Sequence, residues 1–393
     1  MLSENPVLFS ELPASLVDEM LKKSENLGQI LFESFNGITE RKMEYRKALE
    51  NDNILQIFDD KSNIKVSTIC GIDGSYAIEK LLGTDLITCA SVGVEGFVPP
   101  SEIKLWDKLN YDVIINAEPH NPDNSTILRG LMVEMEIILA SKAPHQLILL
   151  DGSFTSPLIQ MNQAVNKAIK IHNSSSKILI DKFKEFLLSY NKILNSSSEK
   201  SWISLPKYTS KKELGKRYNW PSEYDDRAIL TTILNPNEFT DPSKIIMSYG
   251  TDDYDEEAWH LKSPYTDNEL DVIIKKIIEN LKTIHIMYFK PNEGFPALRI
   301  ELGDGIAHNT SKLLTILKTL KYQCDISSII EPYPLFMADR IVKHIPRALP
   351  TLRQTATQKM AELEEGNITD KLFYMHSYRT EGGVGLQKYK TKI

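Results

Sequence analysis

A mixed α/β sheet flanked by helices is the fold class that this 393-residue sequence predicts, on three observations. Several strand-like segments precede the first helix of the region that begins at Val66. The run at 145–154, HQLILLDGSF, is apolar over a strand's length, and it closes on the tripeptide Asp-Gly-Ser that also closes an earlier strand-like run. A continuous apolar run of this kind marks a strand covered on both faces, so helices should lie above and below it.

Taken in order, residues 11–58 mix apolar and charged positions at helical spacing and predict one or two helices, an N-terminal region over 1–62. VSTICGID (66–73) predicts a short strand ending at a Gly-Ser turn; residues 75–97 carry two more strand-like pieces, and YDVIINA (111–117) is another. Together they suggest an antiparallel meander. A helix capped by Asn124 or Ser125 follows, with Leu128, Leu131, Met132, Met135, Ile138 and Leu139 on one side, and stops near Pro144. Beyond the central strand, 157–195 reads as two helices broken at 173–176, a long helical hairpin within an insertion around 157–220. A strand running into a basic turn spans 202–214, and loops and short strands extend to about residue 271. TIHIMYFK (283–290) and ALRIEL (297–302) predict a late hairpin, with helices at about 306–321 and 335–346. The order strand-strand-strand-helix-strand-helix, with acids at strand ends, is that of a ribonuclease H-like sheet.

Composition narrows the function classes. The 46 Lys and Arg against 53 Asp and Glu, with 41% hydrophobic residues, describe a globular chain rather than a fibrous or broadly disordered one. Cys70, Cys89 and Cys324 form no CxxC pair or Cys/His cluster, which argues against a disulfide framework or structural zinc and for a reducing, cytoplasmic setting. The N-terminus carries acids where a secretion signal needs bases, and no apolar run approaches the roughly 18–20 residues of a membrane span, so neither is expected. Charge is unevenly distributed: residues 161–218 hold twelve Lys/Arg against four Asp/Glu, and residues 219–282 hold six against fourteen. The first block can track a polyanion.

Asp73 and Asp151, each in an Asp-Gly-Ser motif after an apolar strand, carry the chemistry. On neighbouring strands they would repel unless neutralised, and hard oxygen donors without a His/Cys set favour Mg²⁺ or Mn²⁺. A third acid is available on the intervening helix as Glu134 or Glu136; the helical wheel puts Glu134 closer to the apolar stripe, and Glu136 stays open. Metal ions held this way activate water and stabilise charge on a phosphoryl group, so phosphodiester hydrolysis is the natural reaction. Lys207, Lys211, Lys212, Lys216 and Arg217 lie beside Trp202, Tyr208, Tyr218 and Trp220, a cationic and aromatic mixture suited to nucleic acid.

GIDGSY at 71–76, the acid-bearing helix from Arg129, LILLDGS at 147–153, KYTSK at 207–211 and EPYPLFMADR at 331–340 together resemble the NurA nuclease family. The resemblance implies a ribonuclease H-like nuclease domain over 63–393 and a homodimer. It also implies Mn²⁺-dependent (or Mg²⁺-dependent) DNA cleavage through two ions, as a single-strand endonuclease or a 5′–3′ exonuclease. A HerA-type hexameric ATPase would be the partner, in DNA end processing or defence. It implies Asp73, Glu134 and Asp151 as metal ligands, with Glu134 preferred over Glu136 by its place before the LLDGS strand. Lys207 would contact phosphate. Lys211, Lys212 and Arg340 are further candidates for DNA binding, and Arg299, alternating with Glu301 among apolar neighbours on a strand, reads first as half of a cross-strand pair and second as a residue facing DNA. Tyr333 sits in the family's Tyr-Pro turn, and Asp339 stands where His is expected, able to bind the second metal but not to act as a cationic donor. His344 can compensate. Two other readings are a catalytically silent DNA-binding or scaffold subunit, and a ribonuclease H-fold phosphotransferase. The latter is disfavoured by only 18 glycines and the lack of a GxGxxG or Walker pattern.

Overall fold

Strands buried along nearly their whole length, and so covered on both faces, explain the architecture of this computed structural model, which describes residues 12–59, 64–98, 104–195, 199–207, 212–244, 260–326, 328–364 and 369–377. In chain order the elements are α1 (Ala14–Glu40), α2 (Lys42–Asn51), β1 (Leu55–Ile57), β2 (Ile69–Lys80), β3 (Asp85–Glu95), β4 (Asn110–Glu118), α3 (Asn124–Lys142) and β5 (Leu147–Asp151). There follow α4 (Ser156–Ile171), α5 (Ser174–Leu194), β6 (Ser201–Leu205), α6 (Glu213–Arg217), α7 (Asp226–Ile233), β7 (Glu238–Thr240), β8 (Ser243–Lys244) and α8 (Asn268–Leu281). The chain continues through β9 (His285–Phe289), β10 (Leu298–Leu302), α9 (Asp304–Ala307), α10 (Thr310–Gln323), α11 (Tyr333–Val342), α12 (Ile345–Leu363) and α13 (Thr369–Tyr374).

One mixed sheet runs β1-β7-β9-β10-β6-β5-β2-β3-β4, with β8 also paired to β9. β2, β3 and β4 form the expected antiparallel meander; β5 then pairs parallel to β2, and β6 parallel to β5. This is the ribonuclease H-like arrangement that the element order predicts. The late hairpin is β9 and β10. β5 shows why helices cover both faces: Ile148 and Leu150 enter the core shared with α3, α4, α5 and α8, while Leu147 and Leu149 enter the core shared with α10 and α11. The serines at 174–176 break the helical hairpin by starting its second helix, where the Asn173 side chain accepts a hydrogen bond from the Ser176 amide.

One sequence expectation fails here. No turn follows Asp73: β2 runs straight through Gly74 and Ser75 to Lys80, pairing with β3 along its length. The glycines of this strand serve close approach instead. A Cβ on Gly71 would stand 2.6 Å from the Leu335 amide nitrogen, so α11 can seat its first turn on the sheet only because nothing projects there. A Cβ on Gly74 would stand 2.5 Å from Glu136 Oε1 on the opposite face. Gly152, with φ +85°, does make the turn that ends β5.

Candidate metal centre

Sheet register builds the site. Ile72 is the parallel partner of Leu150, so the next residues, Asp73 within β2 and Asp151 at the end of β5, stand side by side on the face covered by α11. From α11, Asp339 joins them, and one carboxylate oxygen of each of the three lies within 4.8 Å of the others. The Asp73 and Asp151 carboxylates each accept a hydrogen bond from the following glycine amide, at 2.9 Å in both cases, which fixes their rotation. Lys207, just beyond β6, reaches into the cluster: its Nζ is 3.0 Å from Asp151, 2.9 Å from Glu331 and 3.9 Å from Asp339. Lys343 pairs with the far side of Asp339 at 2.5 Å. The Lys207 backbone is itself held, because Arg227 donates to its carbonyl at 2.6 Å and to that of Ala297 at 2.8 Å.

Electrostatics follow from burial. Loss of water raises the Asp73 carboxyl well above its ordinary value, and the nearby Asp151 and Asp339 raise it further while Lys207 opposes them. Burial likewise raises Glu136, helped by Asp73 and Asp151. Burial would lower the Lys207 ammonium, but Asp151, Glu331 and Asp339 outweigh it and hold the group firmly charged. Acids thus outnumber the local cations, and every donor atom of the cluster is a carboxylate oxygen. That is the donor set of a hard divalent ion, Mg²⁺ or Mn²⁺, rather than of zinc or copper.

The raised carboxyls give metal-free protein a signed pH dependence. Asp73 contributes stability that is complete below its unfolded value of about 3.9 and is lost as pH rises through the folded one. In chelator, Asp73→Asn is therefore expected to melt above wild type by a margin that widens as pH rises above the unfolded value. Thermal melts of the two proteins at several pH values check this; a constant or shrinking margin contradicts it.

The structure does not bring all the sequence-derived candidates together. Glu134 is fully buried, with both oxygens lacking a hydrogen-bond partner, and its electrostatic neighbours are Lys182, Glu185 and Asp112 rather than the aspartate cluster. It lies about 200° around α3 from Glu136, and Glu136 is the helix acid that lies against β2 beside Asp73. Arg299 is not a surface cation. Its guanidinium is buried, bonded to Glu213 at 2.8 and 2.9 Å and to the Tyr288 hydroxyl at 2.8 Å, and 3.4 Å from Glu301. This network ties β10 to α6, and Glu301 in turn accepts from Ser153 and from the Phe154 amide beyond Asp151. Arg299→Ala strands Glu213 in the interior and is expected to cost about 3–5 kcal/mol, read as a fall in the urea midpoint; loss of DNA affinity with unchanged stability would contradict this reading.

Trp202 and Trp220 are core residues, the former donating to the Ala140 carbonyl, so they are not a base-stacking surface. The Lys212 ammonium donates to the Ser222 carbonyl, Arg217 pairs with Asp52, and Arg340 is exposed on α11 directly after Asp339. The Tyr333 ring packs on Phe97 with centroids 4.3 Å apart. His344 is exposed at the start of α12, and His120 pairs with Asp85. Lys211 and Tyr208 lie outside the described residues. Two further residues hold the site. Glu331, inside the EPYPLFMADR motif, is signalled by its place before the Tyr-Pro turn, whereas Arg227 carries no sequence signal.

Fold and site define the molecule as an α/β protein with a carboxylate centre spanning two parallel strands and a helix. Residues 67–344 match the NurA domain family, and the chain belongs to that family. The crystal structure of the NurA nuclease from Sulfolobus solfataricus superposes with a TM-score of 0.55 at 15% identity, covering 90% of this chain and 99% of that one. A crystal structure of NurA bound to dAMP and manganese gives 0.50 at 14% identity, covering 84% and 97%. At these identities the likeness is one of fold. Among curated proteins, none matches. No helix among the described residues is long and apolar enough to cross a membrane.

Proposed function

We propose that this chain is a divalent-metal-dependent deoxyribonuclease that hydrolyses phosphodiester bonds at the centre formed by Asp73, Asp151 and Asp339, with Glu136 as the helix acid. The observation that carries the reading is the convergence of the three aspartates in a cluster of oxygen donors only. Mn²⁺ or Mg²⁺ bound there would supply an activated water and stabilise charge on the phosphoryl oxygens. The chain's own residues do the positioning. Asp73 and Asp151 are aimed by their glycine amides, Lys207 presents a fixed cation beside Asp151, and exposed Arg340 offers a phosphate contact at the rim. Manganese and dAMP in a related NurA structure support both the metal and the class of substrate.

The partner is a HerA-type hexameric ATPase that feeds DNA to the nuclease, in end processing or defence, with cleavage on single strands or in the 5′–3′ direction. The working form is a cytoplasmic homodimer. Apolar side chains left exposed on α1 (Leu27, Ile30, Phe32 and Phe35) and on the outer face of β4 (Tyr111, Val113 and Ile115) support association. Incubation of purified protein with end-labelled linear DNA, with and without Mn²⁺, tests the activity. Metal-dependent shortening is expected; DNA binding without cleavage in Mn²⁺, with the motor present, would favour the silent-scaffold reading instead.

A further inference from the structure

A second group of metal-ligating side chains lies well away from the aspartates. His285 opens β9, and its antiparallel partner Leu302 ends β10, so the chain that leaves β10 through Gly303 carries Asp304 back over His285. His308 follows four residues on, past the single turn of α9, which puts it beside Asp304. Asp304 Oδ1 is 3.4 Å from His308 Nε2 and 3.9 Å from His285 Nδ1, and the three ligand atoms all lie within 4.8 Å of one another. The imidazole rings meet nearly edge to face, at 81° with centroids 5.0 Å apart.

We propose that His285, Asp304 and His308 form a second metal site that takes a transition-metal ion of the zinc(II) class. In a tetrahedral site with bonds of about 2.0–2.1 Å the ligand atoms stand about 3.3 Å apart. The Asp304–His308 pair already has that spacing, and the His285 contact needs only a small inward movement. Exposure leaves room for that movement: the His285 side chain is 2% exposed within the sheet, whereas those of Asp304 and His308 are 53% and 69% exposed. Two imidazoles and one carboxylate suit Zn²⁺ and its neighbours in the Irving–Williams order, unlike the oxygen-only donors of the aspartate centre, which suit Mg²⁺ or Mn²⁺. The fourth position faces solvent and takes water.

The two sites are separate. In register, His285 stands level with Leu302, Ile203 and Leu149, three strands from β5 and two residues short of Asp151. At the usual strand spacing that is about 14 Å across the sheet. A metal here would clip α9 to the first residue of β9. The sequence gives no warning of it, because only the hairpin register brings His285 to the other two.

Chelator-treated full-length protein, equilibrated with Zn²⁺ in excess Mg²⁺ to fill the oxygen centre and then passed through a desalting column, tests the proposal by metal analysis. Wild type and Asp73→Asn should each retain one zinc per chain and melt higher for it, whereas His308→Ala, altered at an exposed position, should lose both the zinc and the rise. Equal zinc retention and equal thermal gain in His308→Ala and wild type, or no zinc in either, would overturn the assignment. A cobalt(II) absorption spectrum with the intensity of a four-coordinate site, absent in Asp304→Asn, is the second expected result; a spectrum unaffected by Asp304→Asn would overturn it.

Discussion

Asp73→Asn is expected to reduce metal-dependent DNA cleavage by at least about 10³-fold while leaving the fold intact. Asp73 is almost fully buried, stands beside Asp151 one residue beyond the Ile72–Leu150 pair, and has its carboxylate aimed by the Gly74 amide. The amide replacement keeps size and shape but removes the charge that a divalent ion requires, so the loss should fall on kcat and on metal affinity rather than on DNA binding. Because Asp73 is held against its neighbours' repulsion, the variant should also be the more stable protein in chelator. Single-turnover cleavage with a Mn²⁺ titration, alongside thermal melts, reads both effects. Undiminished cleavage would remove the metal centre from the argument.

The second large effect separates the two acids of α3. Glu136→Gln is expected to lower cleavage by about 10²-fold or more, since Glu136 lies against the strand beside Asp73 through the gap left by Gly74. Glu134→Gln, at a carboxyl enclosed elsewhere, should cleave at close to the wild-type rate. Measuring the two side by side in Mn²⁺ is decisive by its asymmetry. Equal losses, or a loss confined to Glu134→Gln, would restore the assignment made from the helical wheel.

That wheel misleads for a physical reason. α3 is covered by the sheet on one side and by α4 and α5 on the other, so Ile127, Leu131, Val133, Met135, Ile137 and Ala140 are buried nearly all round it. A hydrophobic stripe identifies a helix's buried side only where another side is wet. By contrast, Asp73 and Asp151 are legible in the sequence because each follows an apolar strand, and parallel pairing of such strands aligns whatever comes next. The meander, the central strand and the late hairpin are legible for the same reason, whereas β1, inside a region expected to be helical, and its partner β7 are three-residue strands too short to carry a pattern.

Glycine is where local chemistry gives the right residue and the wrong cause. Asp-Gly-Ser reads as a turn at both sites, yet only Gly152 turns; Gly74 remains in strand because what it accommodates, Glu136, comes from another part of the chain. Arg299 fails similarly. Alternating with apolar neighbours, it suits a surface strand as well as a buried one, and only the distant Glu213 on α6 makes its burial tolerable. Contacts between residues far apart in sequence carry no local signature.

Anomalous scattering from crystals soaked in Mn²⁺ measures the cation position directly. The predicted result is a manganese peak between the carboxylates of Asp73 and Asp151, within bonding distance of both and bordered by Asp339 or Glu136. A manganese peak bound elsewhere on the chain, with these carboxylates paired only to Lys207, would contradict it.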